Sequence, residues 1–137
     1  MKKSLIGFVA MLSILLPLCF LQTGLSQEKA VLEVKDSAVC SSVENRACVD
    51  PKEEFSMPIE RLYCFTRITG ATDDTQVTHV WYYGDVERAR ITLDVRSSSY
   101  RTHSSKKIQA FETGKWRVDI LDAAGNVLKS VPFSIAG

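Results

Sequence analysis

The sequence predicts an all-β domain, an antiparallel β-sandwich of immunoglobulin-like architecture with about seven strands, placed after an N-terminal signal-peptide helix. Three observations carry this reading. Apolar and polar residues alternate with a period of two. The cleanest case is Val86 to Arg96, where Ile91, Leu93 and Val95 take one face and Arg90, Thr92, Asp94 and Arg96 the other. Turn residues recur roughly every 8–12 residues. No stretch beyond the first 26 residues carries a helical period. A small barrel is the second choice of architecture. There are no internal repeats and no low-complexity segments.

The N-terminus is read first, because it bounds the domain. Lys2 and Lys3 precede an apolar run from Leu5 to Leu21, and Gly24 and Ser26 supply small residues after it. This pattern describes a secretory signal over residues 1–26, cleaved after Ser26. The rival is an uncleaved inner-membrane anchor formed by residues 5–21, a run at the short end of what spans a bilayer and containing Pro17. Leu18 before Cys19 argues against a lipid-modified cysteine. One domain over residues 27–137 follows, exported to the periplasm or the exterior. Two of the 17 Lys and Arg lie in the leader and all 16 Asp and Glu lie after it, so the domain carries about −1. That excludes general nucleic-acid or anionic-membrane binding, which needs a basic excess, and leaves an uncleaved N-terminal segment as the only expected membrane contact.

The strands follow in order. Ala30 to Cys40 is the first, with Leu32, Val34, Ala38 and Cys40 on one parity and Asp36 marking a bulge or bend. Ser41 to Glu60 is polar and interrupted by Asp50-Pro51 and Met57-Pro58, so it reads as loop. Arg61 to Thr69 is the second strand, and Tyr63 and Phe65 opposite Leu62 and Cys64 predict burial on both faces. Gly70 to Gln76 is a turn whose Asp73 and Asp74 lack calcium-loop spacing. Val77 to Tyr83, Val86 to Arg96, Tyr100 to Ile108, Lys115 to Leu121 and Val127 to Ile135 complete the set. Asp122 to Asn126 makes a hairpin connection with Gly125 available for positive φ.

Three cysteines remain in the domain. Pairing Cys40 with Cys64 closes a loop of about 25 residues and stabilises by roughly 3 kcal/mol on the chain-entropy model. Cys40–Cys48 is the alternative. Cys40–Cys64 is preferred because both residues sit in strand-like stretches, leaving Cys48 as a small buried hydrophobe. The spacing gives no metal site, since no Cys-x-x-Cys exists and the two histidines lie far downstream. No cofactor is implied.

Two constellations are candidates for function. His79 and Trp81 share a strand face, with Trp116 expected nearby. They form either an aromatic platform or, as large aromatics in small sandwiches usually do, the core. Arg96, Arg101, Lys106 and Lys107, with Tyr100 and His103 between them, contain four basic residues and no acid. Such a run suits phosphate, an acidic glycan or a partner's carboxylates, or else is a solvated strand. A hydrolase needs serine, histidine and an orienting acid in a cleft. His103 and Ser104 are strand neighbours facing opposite ways, so they do not supply one.

The residues Thr78-His79-Val80-Trp81-Tyr82-Tyr83, Tyr100-Arg101-Thr102-His103-Ser104-Ser105-Lys106 and Gly114-Lys115-Trp116-Arg117-Val118 stand in order along the chain. Asp122-Ala123-Ala124-Gly125-Asn126-Val127-Leu128 and Phe133 follow them. Together they resemble the bacterial family catalogued as domain of unknown function 2914. Cys40, Val43-Glu44-Asn45-Arg46 and Leu62-Tyr63-Cys64-Phe65 look like its lead-in, so the family-like core runs from about residue 40 to 135. Tyr100 stands where the family more often has tryptophan, and Cys48 where proline is common. The resemblance implies an extracytoplasmic or membrane-tethered domain, supports Cys40–Cys64, and assigns no activity. The expectation is a non-enzymatic envelope binding module with a face built from His79, Trp81, Arg101, His103 and Lys106. Its ligand would be an acidic glycan, a phosphate-bearing envelope component or a protein. A purely structural envelope domain is the alternative, and a hydrolase a distant third.

Overall fold

The computed structural model describes residues 31–137, so the predicted signal peptide, residues 1–26, lies outside the described residues. Among the described residues, ten strands form three sheets. β1 (Glu33–Cys40), β5 (Arg61–Thr69) and β8 (Ser99–Lys107) make a three-stranded antiparallel sheet in the order β1-β5-β8. β4 (Glu54–Ser56), β10 (Val127–Ala136), β9 (Gly114–Leu121), β6 (Thr75–Tyr83) and β7 (Val86–Val95) make a five-stranded sheet in the order β4-β10-β9-β6-β7, antiparallel except for the parallel pair β4–β10. β2 (Ser42–Glu44) and β3 (Ala47–Val49) form a separate hairpin.

The period-two alternation read from the sequence sets which residues face inward. The two large sheets lie face to face. Leu62, Cys64 and Val39 from one meet Trp81, Trp116, Val118, Phe133 and Ile135 from the other in one cluster, and Ile68, Val77, Val95 and Ile120 form a second. Trp116 and Phe133 stack at 5.9 Å, and Trp81 meets Phe133 edge-on at 6.0 Å, geometries that add to their area burial. Gly70 is needed where the chain leaves β5. Its φ is +93°, and a Cβ there would sit 2.6 Å from the carbonyl oxygen of Val31.

Ser41 to Glu60, read as loop, contains three short strands. The β2–β3 hairpin turns on Asn45 and Arg46, with φ of 50° and 60°, the positive values a two-residue hairpin of matching twist requires. The strands are three residues each, too short for a periodic signal to mark them. β4 is held by parallel pairing to β10, which only the tertiary fold supplies.

The disulfide also differs from expectation: Cys40 bonds Cys48, and Cys64 is free and buried. The reason is the bulge between Val34 and Asp36. Val34 pairs with Ile68 on the inner face, but beyond the bulge Val39 pairs with inward-facing Cys64 while Cys40 pairs with Tyr63. Successive residues of a strand point to opposite faces, so Cys40 points away from the facing sheet and Cys64 toward it. The hairpin lies against β1 and β5 on that outer side and brings Cys48 within bonding distance. It covers the side on which Phe65 is only 9% exposed, so β5 is buried on both faces as expected.

One strand edge is blunted. Ser134 N–H donates to the Glu53 carbonyl at 2.9 Å, so its amide points toward β4. Two residues earlier the amide position pointing the same way belongs to Pro132, just where β4 has run out. Proline has no N–H to offer there.

Candidate binding surface

The five residues expected to form one face are divided by the fold. His79 and Trp81 are fully buried, on the inward parity of β6 with Val77. They cannot contribute to a surface, and the open aromatic platform is replaced by a core arrangement. His79 Nδ1 lies 2.6 Å from Ser104 Oγ, His79 Nε2 lies 3.2 Å from Thr66 Oγ1, and Trp81 Nε1–H donates to Ser104 Oγ at 3.0 Å. The short contact suits an O–H donor and the longer one an N–H donor. The Ser104 hydroxyl therefore donates to Nδ1, and Nε2–H donates to Thr66. Burial, with the charge of His103 adding to it, pushes the His79 pKa down to about 4, so the ring is neutral and clamps β6 to β5 and β8 across the core.

A serine and a histidine at 2.6 Å invite comparison with a nucleophile and its base. Ser104 is 4% exposed, and its oxygen already accepts from Trp81. The arrangement holds two sheets together and leaves no face open to a substrate. Sequence proximity pairs Ser104 only with His103. Its true partner lies on another strand, which alternation within β8 alone cannot show.

Arg101 and His103 share the outer face of β8, whereas Lys106 has the parity of Ser104 and lies on the opposite side. The outer face of the three-stranded sheet therefore has its own composition. Asp36, Arg67 and Arg101 lie in one row across the three strands, and Arg61 and Lys107 face each other in another. Between these rows sit Tyr63, Phe65 and His103, with Tyr63 and His103 in edge contact at 5.9 Å. Arg67 is bound to Asp36 at 2.7 Å. Arg61, Arg101 and Lys107 make no ion pair with any described residue.

Like charges placed directly opposite on neighbouring strands repel, so Arg67–Arg101 and Arg61–Lys107 are local costs. The arginines around the five-stranded sheet are arranged otherwise. Arg90 meets Glu87 at 2.6 Å, Arg96 meets Asp94 at 3.2 Å, and Arg117 lies between Asp85 and Asp119 and 4.1 Å above the Tyr82 ring. The expected basic run is thus split: Arg96 is neutralised, Lys106 turns away, and Arg61 and Arg67, which sequence proximity did not suggest, join Arg101 and Lys107. Among the described residues no group of three or more histidine, cysteine or carboxylate side chains is placed to hold a metal.

In class, the chain is an all-β domain of packed antiparallel and mixed sheets with a disulfide-stapled hairpin on one outer face. Residues 74–135, from just before β6 into β10, match the model of the family described as "Protein of unknown function (DUF2914)". The family resemblance carried by the motifs is thereby shown over that stretch. No curated protein matches the chain.

Proposed function

We propose that this is a non-enzymatic, exported binding module of the cell envelope that takes a polyanionic ligand on the outer face of its three-stranded sheet. One observation carries the reading: two like-charged cross-strand pairs, Arg67–Arg101 and Arg61–Lys107, bracket an aromatic strip, and three of those four cations lack a carboxylate partner among the described residues. An anion spanning the rows would relieve that repulsion, and guanidinium forks suit phosphate, sulfate or carboxylate. An acidic glycan or phosphate-bearing envelope component fits this chemistry, with the Tyr63 and His103 rings giving contact and Phe65 covered by the β2–β3 hairpin. The strand order supports the immunoglobulin-like reading: β1-β5-β8 stand as A, B and E, and β10-β9-β6 as G, F and C. The Cys40–Cys48 disulfide is compatible with an oxidising, extracytoplasmic location, as is the lack of a membrane-spanning helix among the described residues.

A glycan and lipopolysaccharide array with wild type, Arg101→Ala and Arg101→Lys tests the ligand class. Binding to acidic ligands should fall roughly tenfold on loss of Arg101 and weaken steeply with salt. Indifference of the wild type to every anionic ligand refutes the reading. The burial of both Trp81 and Trp116 favours the second reading, a structural envelope domain without ligand, which that result would leave standing.

A further inference from the structure

The loop from Ile108 to Thr113, joining β8 to β9, is fixed unusually well for a surface connection. Glu112 is 2% exposed. One carboxylate oxygen accepts from Gln109 N–H at 2.9 Å and the other faces Arg88 Nε at 3.3 Å. Glu112 N–H donates to the Gln109 carbonyl, and Trp116 Nε1–H donates to the Glu112 carbonyl at 2.8 Å. The Tyr83 hydroxyl donates to the Thr113 carbonyl at 2.6 Å, with the Phe111 carbonyl at 3.3 Å. A buried carboxylate is costly unless satisfied, and this one is satisfied on both oxygens. What all these bonds hold in place is Phe111, whose side chain stands in solvent at 68% exposure. Val86, 57% exposed, follows the β6–β7 turn beside Tyr83.

An apolar ring held out on a pre-ordered loop loses little freedom when it docks. Its surroundings suggest on what. Arg61 and Lys107 immediately flank the loop on one outer face of the sandwich and Lys115 on the other, and none of the three has an ion pair among the described residues. Of the nearby acids, Asp85 is engaged by Arg117, Glu60 stands exposed beside the loop, and the exposed Glu53 and Glu54 lie on the Lys115 side, across β10 from it. A ring at the tip with cations behind it matches a bilayer interface, where aromatics sit at the headgroup–acyl boundary and Lys and Arg meet lipid phosphates.

We propose that this end of the domain docks on an anionic membrane surface, with Phe111 as the inserted residue and Arg61, Lys107 and Lys115 as headgroup contacts. The site borders the polyanion face at the Arg61–Lys107 row but is distinguished from it by Arg101, which lies about 20 Å along β8 from Lys107 at ~3.3 Å per residue.

Sedimentation with vesicles of phosphatidylglycerol and phosphatidylcholine tests it. Phe111→Ser, at an exposed position that leaves the fold intact by circular dichroism, should lower vesicle binding at least roughly fivefold. Phe111→Ser should leave the binding of soluble acidic glycans unchanged, which separates this site from the polyanion face, and Arg90→Ala, at a cation already paired with Glu87, should leave vesicle binding unchanged. In Phe111→Trp, the new indole should be quenched by brominated acyl chains, while buried Trp81 and Trp116 are not. Equal binding by wild type and Phe111→Ser, or a new indole that brominated chains leave unquenched, overturns the proposal. Concentration-dependent self-association that Phe111→Ser abolishes, without vesicle binding, would assign the tip to a second copy of the chain and equally overturn it.

Discussion

Acidification from pH 7.5 to pH 4.5 should separate the folded and unfolded states at one residue above all. In the unfolded chain His79 titrates near 6.5; in the fold burial holds it at about 4. Above 6.5 neither state binds the proton, and the stability due to neutral His79 is fully present. As pH falls below 6.5 the unfolded state protonates first, so folding stability declines; the decline levels off below about 4, where both states are charged. Each pKa unit is worth about 1.4 kcal/mol, so the loss down to pH 4.5 is about 2.5 kcal/mol. Urea unfolding at several pH values measures it, with His79→Gln as reference. That variant is less stable at pH 7.5, because Ser104 and Thr66 lose their ring partner, but it lacks the titrating group. The carboxylates of Asp94 and Asp122, held low chiefly by hydrogen bonds from Gln76 and Asn126, contribute to both proteins and cancel. Parallel pH profiles for the two, or an imidazole resonance of His79 moving with a midpoint near 6.5, would refute the reasoning.

Other perturbations follow from the same geometry. Ser104→Ala strips partners from His79 Nδ1 and Trp81 Nε1 at once and should cost about 2–4 kcal/mol in urea unfolding. Ser105→Ala, which removes only an exposed hydroxyl bound by Arg61, should stay within about 0.5 kcal/mol of wild type. Gly70→Ala combines positive φ with a 2.6 Å approach to a backbone oxygen, and should destabilise by roughly 1–3 kcal/mol. A gain in melting temperature would contradict it. Pro132→Thr restores an outward amide on β10 beyond the end of β4. Light scattering should show more self-association at high concentration than for wild type; an unchanged monomer would mean that the edge is protected otherwise.

Much of the fold is legible in the sequence because the long strands are amphipathic at period two. The seven segments from the first strand to the last match β1 and β5 to β10 within a few residues. β2, β3 and β4 are not legible, being three-residue pieces whose pairing partners lie elsewhere in the fold. The disulfide is lost at a single step. Asp36 marks a bulge in the sequence as in the fold, but the change of face that the bulge imposes downstream needs the register of β5, and without it Cys40 falls on the wrong side of its sheet. The site fares worst, because period two within one strand cannot say which strand lies opposite. His79, Ser104 and Thr66 come from three strands, and Arg61 and Arg67 reach Arg101 only through pairing with β8. Phe111 carries no periodic signal at all. Its importance comes from Glu112 beneath it, a carboxylate that the sequence presents as one more polar loop residue.

The bulge in β1 also bears on how the three cysteines of the described residues survive oxidation. A thiol exchanges with a disulfide only if its thiolate can reach a sulfur. Here a β-sheet stands between the two: Cys40–Cys48 lies on its outer side, and the Cys64 thiol on its inner side, with burial pushing its pKa up to about 12. Once folded, the third cysteine is insulated from the first two both by position and by protonation. Before folding no such partition exists, and Cys40, Cys48 and Cys64 can exchange with one another. Oxidative refolding from the reduced state should therefore pass through bridges to Cys64 that vanish as the sheet forms, and Cys64→Ala should remove them and speed recovery of the native form.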